Sequence, residues 1–212
     1  MNKLTEPNKN CSKCKRLYNF RKENKSINPE WFNAPVPSFG DFSSSILIVG
    51  LAPGLQGANK TGRPFTGDYA GDLLYKTIYK FGLSNGKYKG SIDDNLRLED
   101  CTITNAVRCV PPKNKPISEE INNCNIFLQN TINKHKNLKV IIALGLIAHK
   151  SIISALNLKQ KLYKFKHGNK HKIDNLILID SYHCSRYNTN TGRLNQEMFE
   201  KIFFEAKKEL KI

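Results

Sequence analysis

Four short apolar runs stand out along the chain, at residues 46–49, 101–107, 140–144 and 176–179. Each is rich in β-branched residues or leucine and is mainly continuous, which predicts strands buried on both faces. Between the runs, apolar residues recur at intervals of three or four positions, as they do in amphipathic helices. The pattern predicts one α/β domain, with a central, mainly parallel four-stranded sheet and helices on both of its faces.

The helical spacing predicts helices that begin after residue 14, near residues 69 and 118, after residue 145 and near residue 196. The last of them is expected to extend to about residue 210. Residues 1–10 contain few apolar positions and are predicted to be flexible. No low-complexity linker or internal repeat divides the chain, so residues 1–212 are interpreted as a single domain.

The first predicted strand leads into a long loop that is rich in glycine and proline. Glycines occupy positions 50, 54, 57, 62 and 67, and prolines occupy positions 53 and 64. A strand that reaches a helix through such a loop is typical of the binding crevice at the carboxyl ends of a parallel sheet. A flexible surface connection is the alternative, but the prolines and the aromatic Phe65 count against it. The strand exits at Gly50, Asn105, Gly145 and Ser181 are expected to converge there.

The chain is strongly basic. It has 34 lysines and arginines against 18 acidic residues, a formal net charge of +16. Such an excess indicates a polyanionic partner, most often a nucleic acid, although a solvated basic surface is the alternative. The amino-terminal residues lack the apolar block of a signal peptide, and no run is long enough to span a membrane. We therefore expect an intracellular, cytoplasmic protein without membrane association. No predicted surface helix shows a surplus apolar face, so we expect a monomer.

Six cysteines in an intracellular chain favour metal ligation or simple packing over disulfides. Cys11 and Cys14 form a C-x-x-C pair, which can chelate one centre. Cys109 follows a predicted strand and Cys124 lies on the inward side of the next predicted helix, so the four thiols are candidate ligands of one site. An iron–sulfur cluster, a zinc ion and no metal all remain open on spacing alone. The remaining cysteines, at positions 101 and 184, are interpreted as buried apolar residues.

Three separated segments resemble the uracil-DNA glycosylase superfamily. They are GLAPGLQGANKTGRPFTGDYAGDLLY, ITNAVRCVPPKNKP and SYHCSRYNTNTGRL, and the amino-terminal C-x-x-C and the segment WFNAPVPSFGD extend the likeness over nearly the whole chain. The GLAP sequence after the first strand is similar to the iron–sulfur members of type B, the fifth family. The resemblance implies a DNA repair enzyme that flips out uracil, or another deaminated base such as hypoxanthine or xanthine, and hydrolyses its N-glycosidic bond.

The resemblance also implies roles for particular residues. It implies a [4Fe–4S] cluster, rather than zinc, held by Cys11, Cys14, Cys109 and Cys124. Phe65 is expected to stack on the flipped base and Asn105 to bind its Watson–Crick edge, since an amide offers both an acceptor and donors. The base-binding loop is expected to include Gly50, Leu51, Ala52 and Gly54. A core residue is the less favoured alternative for Phe65, whereas without the resemblance a turn residue at the end of the strand is the favoured interpretation of Asn105.

Two residues are expected to carry the chemistry. His183 is the candidate donor to the leaving base, with a structural histidine as the alternative. Strict uracil enzymes have Asp or Asn just after the first strand, where this chain has Leu51, which cannot polarise water. Asp68 is expected to take over the role of positioning water, and helix capping is an alternative role that is compatible with the first.

The segment that follows His183 is expected to contact DNA. Ser185, Arg186, Tyr187 and Arg193 are the predicted contacts, with Arg186 or Tyr187 filling the gap that the flipped base leaves. A non-catalytic, metal-containing module that binds nucleic acid is the rival hypothesis. A phosphate-binding enzyme is disfavoured, because no lysine follows the last glycine of the loop.

Overall fold

The central sheet has six strands in a computed structural model that describes residues 5–210 of the chain. Eight strands, which include a separate pair outside this sheet, lie among the described residues. They are β1 (Phe39–Gly40), β2 (Ile46–Gly50), β3 (Ser84–Asn85), β4 (Arg97–Leu98), β5 (Cys101–Asn105), β6 (Val140–Leu144), β7 (Lys170–Ile173) and β8 (Leu176–Ser181). Their order in the sheet is β1-β5-β2-β6-β8-β7, and β3 and β4 form a separate pair. The fold class predicted from the sequence is confirmed.

The four predicted strands form the parallel centre of this sheet, in the order β5-β2-β6-β8. Two antiparallel edge strands, β1 and β7, were not predicted. β1 has only two residues, and β7 lies in a lysine-rich stretch whose polar composition hides its pairing with β8. The sheet is therefore mixed and six-stranded rather than four-stranded.

Seven α-helices and two short 3-10 helices, Pro112–Asn114 and Gln160–Leu162, lie in the described part of the chain. The α-helices are α1 (Lys15–Ile27), α2 (Ala58–Thr61), α3 (Tyr69–Lys80), α4 (Ser118–Lys134), α5 (Leu146–Ala155), α6 (Arg186–Asn190) and α7 (Gln196–Leu210). The five helices predicted from apolar spacing correspond to α1, α3, α4, α5 and α7. The two short helices, α2 and α6, interrupt loops that the sequence pattern left without structure.

Neighbouring residues of each central strand face opposite layers of helices. Ile46 and Ile48 of β2 pack with α3 and α7, in a core that includes Leu74 and Phe203. Leu47 and Val49 of the same strand pack with α4 and α5 on the other side. Burying such a side chain contributes roughly 1.5–3 kcal/mol, so both layers stabilise the sheet. The continuous apolar runs exist because both faces of the sheet are covered.

The amino-terminal segment is attached to the domain through Glu6. Its carboxylate accepts hydrogen bonds from the Ser38 backbone amide, at 3.2 Å, and from Arg108, at 2.9 Å. Residues 1–4 of the segment predicted to be flexible lie outside the described residues, and its flexibility stays a prediction. No helix among residues 5–210 combines the length and the apolar character needed to cross a membrane.

Candidate active site

A cleft of about 1360 Å³ opens at the carboxyl ends of the central strands. Its walls come from the loop after β2, the start of α3, the β6–α5 turn and the segment after β8. Eight of the predicted site residues line it: Leu51, Ala52, Gly54, Asp68, His183, Ser185, Arg186 and Arg193. Three others, Gly50, Phe65 and Asn105, are buried beneath these walls. The convergence expected from the strand exits is therefore present in the fold.

Asp68 stands at the boundary between the glycine-rich loop and α3. Its Oδ1 accepts a hydrogen bond from the Gly71 amide at 3.1 Å, which caps the helix. Its Oδ2 is directed towards Gly54 and Gly57, where a Cβ added to the glycine would approach it to 3.2 and 2.6 Å, respectively. Burial raises the pKa of this carboxyl above its usual value. The residue thus caps α3 with one oxygen and presents the other towards the cleft.

Phe65 is buried, and its backbone has a left-handed conformation, with φ of 55°. This conformation is uncommon for a bulky residue and is typical of positions that the surrounding structure fixes. The ring stacks on His183, with 5.9 Å between centroids and 25° between planes. A base can therefore contact the face of Phe65 only after the side chains that cover it have moved.

His183 is partly buried in the wall of the cleft. Desolvation lowers the pKa of its imidazole to about 4. The backbone carbonyl of His183 accepts a hydrogen bond from the Asn188 side chain at 2.8 Å, which ties the residue to α6. The imidazole is consequently neutral at physiological pH and can donate one hydrogen bond.

Asn105 ends β5 directly beside Gly50, its register partner in β2. Its Oδ1 is buried and accepts no hydrogen bond from any residue between 5 and 210. A Cβ at Gly50 would lie 2.4 Å from this oxygen and 2.5 Å from the Phe65 ring, so only glycine fits there. An unpaired buried acceptor is costly, and this oxygen, one of seven such side-chain atoms among the described residues, is available to a ligand donor.

Tyr88 is a site residue that sequence analysis missed. Its hydroxyl accepts a hydrogen bond from the Gly67 amide at 3.0 Å and donates one to the Phe65 carbonyl at 3.3 Å. Its ring stacks on Tyr75 with 4.4 Å between centroids. Tyr88 lies in a polar connection with no motif around it, so only its place in the fold reveals that it supports the turn from Phe65 to Asp68.

Arg63 also stabilises the turn from Phe65 to Asp68, and the sequence analysis did not predict this role. Its guanidinium forms two hydrogen bonds with Asp94, at 2.8 and 2.7 Å, and another with Thr66. The hydrogen bonds from Arg63 lower the pKa of the Asp94 carboxyl to about 2. Both partners are buried, so removing either one would leave an uncompensated charge in the interior.

The predicted DNA-contacting residues surround the outer edge of the cleft. Arg186 and Arg193 are exposed, and their guanidinium groups lie over Tyr69 and Tyr182, at 5.2 and 4.5 Å from the ring centroids. Tyr187 does not line the cleft; it is 72% exposed on α6. Ser185 caps α6 through the Asn188 amide. The fold thus presents two cations and one free aromatic ring beside the opening.

The four candidate ligand cysteines lie together in a separate cavity, outside the lining of the cleft. Cys11, Cys14, Cys109 and Cys124 line one small cavity beneath α1, and Leu17 and Phe127 pack around them. The backbone amide of Arg108 donates a hydrogen bond to Cys124 Sγ at 3.3 Å. Burial raises the pKa of Cys109 to about 12 and that of Cys124 to about 11. These thiols therefore need a nearby positive charge to become thiolates.

The spacing of the sulfur atoms bears on which group fits this cavity. A zinc ion with four thiolates at 2.3 Å brings the sulfurs to about 3.8 Å from one another. Within residues 5–210, the sole group of three such ligand atoms that all lie within 4.8 Å of one another is that of His149, His171 and Asp180, so no three of the four sulfur atoms are that close together. The wider arrangement suits a larger centre, such as an iron–sulfur cluster, better than one zinc ion.

Comparisons with known proteins identify the family to which the chain is similar. A family model described as the uracil DNA glycosylase superfamily matches residues 37–207. The type-5 uracil-DNA glycosylase of Thermus thermophilus is 41% identical over 204 residues, which are 93% of each chain. The type-5 enzyme of Pyrobaculum aerophilum is 36% identical, over 93% of this chain and 88% of that protein. The type-4 enzyme of Sulfurisphaera tokodaii is 32% identical, over 95% of this chain and 83% of that protein.

Proposed function

This chain belongs to the uracil-DNA glycosylase superfamily, and we propose that it removes uracil from DNA by hydrolysing the bond between base and deoxyribose. The observation that carries the proposal is the placement of the Asp68 carboxylate and the neutral His183 imidazole in one cleft, above the unpaired Asn105 oxygen. The product is an abasic site, the first intermediate of base excision repair. A base inside a duplex is inaccessible, so it must first be flipped out, at a cost of a few kcal/mol.

Asn105 recognises the base in this proposal. Uracil presents an N3–H donor and an O4 acceptor, which complement the oxygen and the NH₂ group of an amide. Cytosine presents an N3 acceptor and an N4 donor instead, so the same amide would face like groups. The buried Oδ1, which accepts no hydrogen bond from the described residues, supports this role. Phe65 supplies the apolar face for the base once the covering side chains have moved.

His183 stabilises the leaving base. Breaking the glycosidic bond places negative charge on the base, and a donor directed at its O2 favours the transition state over the ground state. The low pKa of about 4 supports donation from a neutral imidazole, without a net proton transfer to the base. Catalysis therefore does not require a histidine that is protonated at physiological pH.

Asp68 orients the hydrolytic water. The sugar develops positive charge as the base leaves, and a carboxylate beside it stabilises that charge and holds the nucleophile. Leu51 lies in the wall of the cleft after β2 but has no polar atom on its side chain. The direction of Asp68 Oδ2, towards Gly54 and Gly57 of the cleft, supports its assignment to the role that Leu51 cannot fill. Capping of α3 through Oδ1 sets the orientation of this carboxylate.

Residues around the cleft opening bind the DNA. In this proposal Arg186 and Arg193 neutralise phosphates on either side of the flipped nucleotide, and Ser185 contributes a hydroxyl. Tyr187 is the wedge that enters the gap in the base stack, because it is the exposed ring of α6. The net charge of +16 supports a strong electrostatic contribution to this binding.

Cys11, Cys14, Cys109 and Cys124 hold a [4Fe–4S] cluster in this proposal. Held by these four cysteines, such a cluster would link the amino-terminal segment covalently to the core of the domain. Its cysteines lie outside the cleft lining, which supports a structural rather than a catalytic role. Cys101 and Cys184 are buried elsewhere in the core, as expected for apolar packing.

A cleavage assay tests the proposed activity. Duplexes that carry one uracil, hypoxanthine, xanthine or normal base are incubated with the protein and then treated with alkali, which breaks the strand at abasic sites. Scission confined to duplexes with deaminated bases is the expected result, with uracil as the main substrate. Intact duplexes throughout, with a folded protein that still binds DNA, would overturn the proposal and favour a non-catalytic binding module.

A further inference from the structure

Three ligand-forming side chains meet in a second cluster, away from the cysteines. His149 lies on α5, His171 on β7 and Asp180 near the end of β8. His149 Nδ1 is 2.7 Å from Asp180 Oδ1, and His171 Nε2 is 3.0 Å from Asp180 Oδ2. The ring of His149 also packs edge-on against that of His171. These side chains have no part in the proposed reaction.

The hydrogen bonds of His149 define which of its nitrogens carries a proton. Its Nε2 is 2.9 Å from the Tyr163 carbonyl oxygen, which can only accept, so Nε2 bears the hydrogen. In the neutral ring, the Nδ1 lone pair would then point at the Asp180 carboxylate. Two lone pairs 2.7 Å apart repel each other unless a cation lies between them. The cluster therefore requires a proton or a metal ion at this position.

The surroundings of Asp180 also indicate that a positive charge is needed beside its carboxylate. Its side chain is completely buried, and a buried carboxylate needs a compensating charge. Apart from the two imidazoles, it accepts a hydrogen bond from the Lys166 backbone amide, at 3.3 Å, which carries no net charge. His171, whose side chain is 12% exposed, leaves a route by which an ion from solvent can enter.

We infer that His149, His171 and Asp180 form a binding site for a divalent transition metal of the zinc type. Two imidazoles and one carboxylate, all within 4.8 Å of one another, are a common donor set for such ions. The Tyr163 carbonyl supplies the acceptor that orients a ligating histidine through its other nitrogen. Ligand bonds of about 2.0–2.1 Å place the donor atoms about 3.4 Å apart, so the two His–Asp distances of 2.7 and 3.0 Å widen by less than about 1 Å on binding.

The site would link β7 to α5 and β8, the two elements that lie next to the wall of the cleft. Asp180 precedes His183 by three residues on the same strand exit, and α5 begins at the β6–α5 turn of the cleft. A metal at this point would stabilise the β7–β8 hairpin against the body of the domain. The proposal is independent of the glycosylase activity and of the cysteine site.

Measuring the zinc and iron content of the protein and its variants tests the proposed metal site. The full-length protein, with its cysteine site intact, is treated with a chelator, exposed to Zn²⁺ alone, desalted and analysed for zinc and iron together. We expect about one more zinc per chain in the wild type than in His171→Gln and Asp180→Asn, with the same iron content in all three. His167→Gln, just before β7, is the matched control and should retain the zinc. Equal zinc in the wild type and both site variants would overturn the proposal.

Two further readouts separate this site from zinc bound by cysteines. Zn²⁺ should raise the melting temperature of the wild type and of His167→Gln, and leave that of His171→Gln unchanged. Co²⁺ should give visible ligand-field bands in a difference spectrum, without sulfur-to-cobalt charge transfer. Sulfur-to-cobalt bands, or a melting temperature that Zn²⁺ changes equally in all variants, would show that zinc binds elsewhere and that a proton fills the position beside His149.

Discussion

The carboxylate of Asp68 lies directly against Gly57: a Cβ at that glycine would come within 2.6 Å of Oδ2. The loop therefore needs glycine at position 57 in order to let this oxygen reach the cleft. The other oxygen, Oδ1, is occupied by the Gly71 amide at the start of α3. Helix capping and water positioning were alternatives for one residue in the sequence, and the two oxygens allow both.

Asp68→Asn should separate these roles. The amide keeps an oxygen that can cap α3, but it cannot hold a water as a carboxylate does. We expect uracil excision in single-turnover assays to fall by about 100-fold, with the duplex Kd and the melting temperature nearly unchanged. Asp72→Asn, an exposed carboxylate in the same cleft and helix, is the matched control and should cleave normally. Near wild-type cleavage by Asp68→Asn would remove this residue from the mechanism.

Asn105→Ala should reduce activity without a comparable loss of stability. The Oδ1 atom that it removes has no partner within the described chain, so the free energy of unfolding should fall by less than about 1 kcal/mol. Loss of the base contact should lower kcat/KM for uracil by about 100-fold or more. Asn114→Ala, at an exposed asparagine of the cleft, should have a much smaller effect on kcat/KM. Denaturant titration and single-turnover kinetics on the same preparations provide the check, and a loss of stability that accounts for the loss of activity would contradict the assignment.

The pH dependence of activity should lack a histidine step near the usual imidazole pKa of about 6.5. His183 has a pKa of about 4 and Asp68 has a pKa above its usual value, so the active form has a neutral imidazole and an ionised carboxylate. Activity should be level near neutrality and fall in acid as Asp68 takes up a proton. In Asp68→Asn the residual rate should lose this acidic decline. An inflection near the usual imidazole pKa that disappears in His183→Asn would contradict the neutral-imidazole mechanism.

Stability should also depend on pH through His183. Its folded pKa of about 4 lies below the unfolded value of about 6.5, so the unfolded chain binds more protons between these values. The contribution of His183 to stability is therefore full above about pH 6.5 and is lost as the pH falls towards 4, by at most about 1.4 kcal/mol per pH unit. Urea titrations from about pH 7.5 to about pH 5 should give a weaker pH dependence for His183→Asn than for the wild type. Identical slopes would show that this histidine is not desolvated.

Tyr88→Phe should loosen the turn that carries Phe65 and Asp68. The hydroxyl bridges the Gly67 amide and the Phe65 carbonyl, and its loss should cost about 1 kcal/mol of stability. Because Tyr88 has no chemical step in the proposed reaction, we expect a several-fold fall in kcat and a largely unchanged acid limb of the pH profile. Tyr79→Phe, at an exposed tyrosine of α3, is the control. Wild-type kcat in Tyr88→Phe would show that the bridge is dispensable.

Cys124→Ser should prevent assembly of the proposed cluster. The protein should lose its brown colour and most of its iron, and the link that closes the loop between Cys14 and Cys109 should be weakened. Closing a loop of roughly 100 residues contributes about 4–5 kcal/mol, which corresponds to a melting temperature lower by about 10 °C or more. Cys101→Ala, at a buried cysteine outside the cavity, should keep iron and colour. A colourless wild type that binds stoichiometric zinc at these cysteines would instead favour the zinc alternative.

The edges of the sheet are the part of the fold that the sequence pattern did not predict. The parallel strands were predictable because each is apolar on both sides, a property that follows from burial between two helical layers. β1 and β7 were missed because an edge strand needs only one partner and can be short or polar. β7 pairs with β8 through a hairpin whose lysines point away from the core.

The sequence by itself determined the α/β class, the five main helices, the glycine-rich loop after β2 and the family resemblance, because these depend on local periodicity and on contiguous motifs. Only the tertiary structure brought the Tyr88 hydroxyl under Phe65 and covered that ring with His183. It alone brought together His149, His171 and Asp180, which come from three separate elements. Such contacts depend on strand order and helix packing. A local sequence pattern does not reveal which distant residues the packing brings into contact.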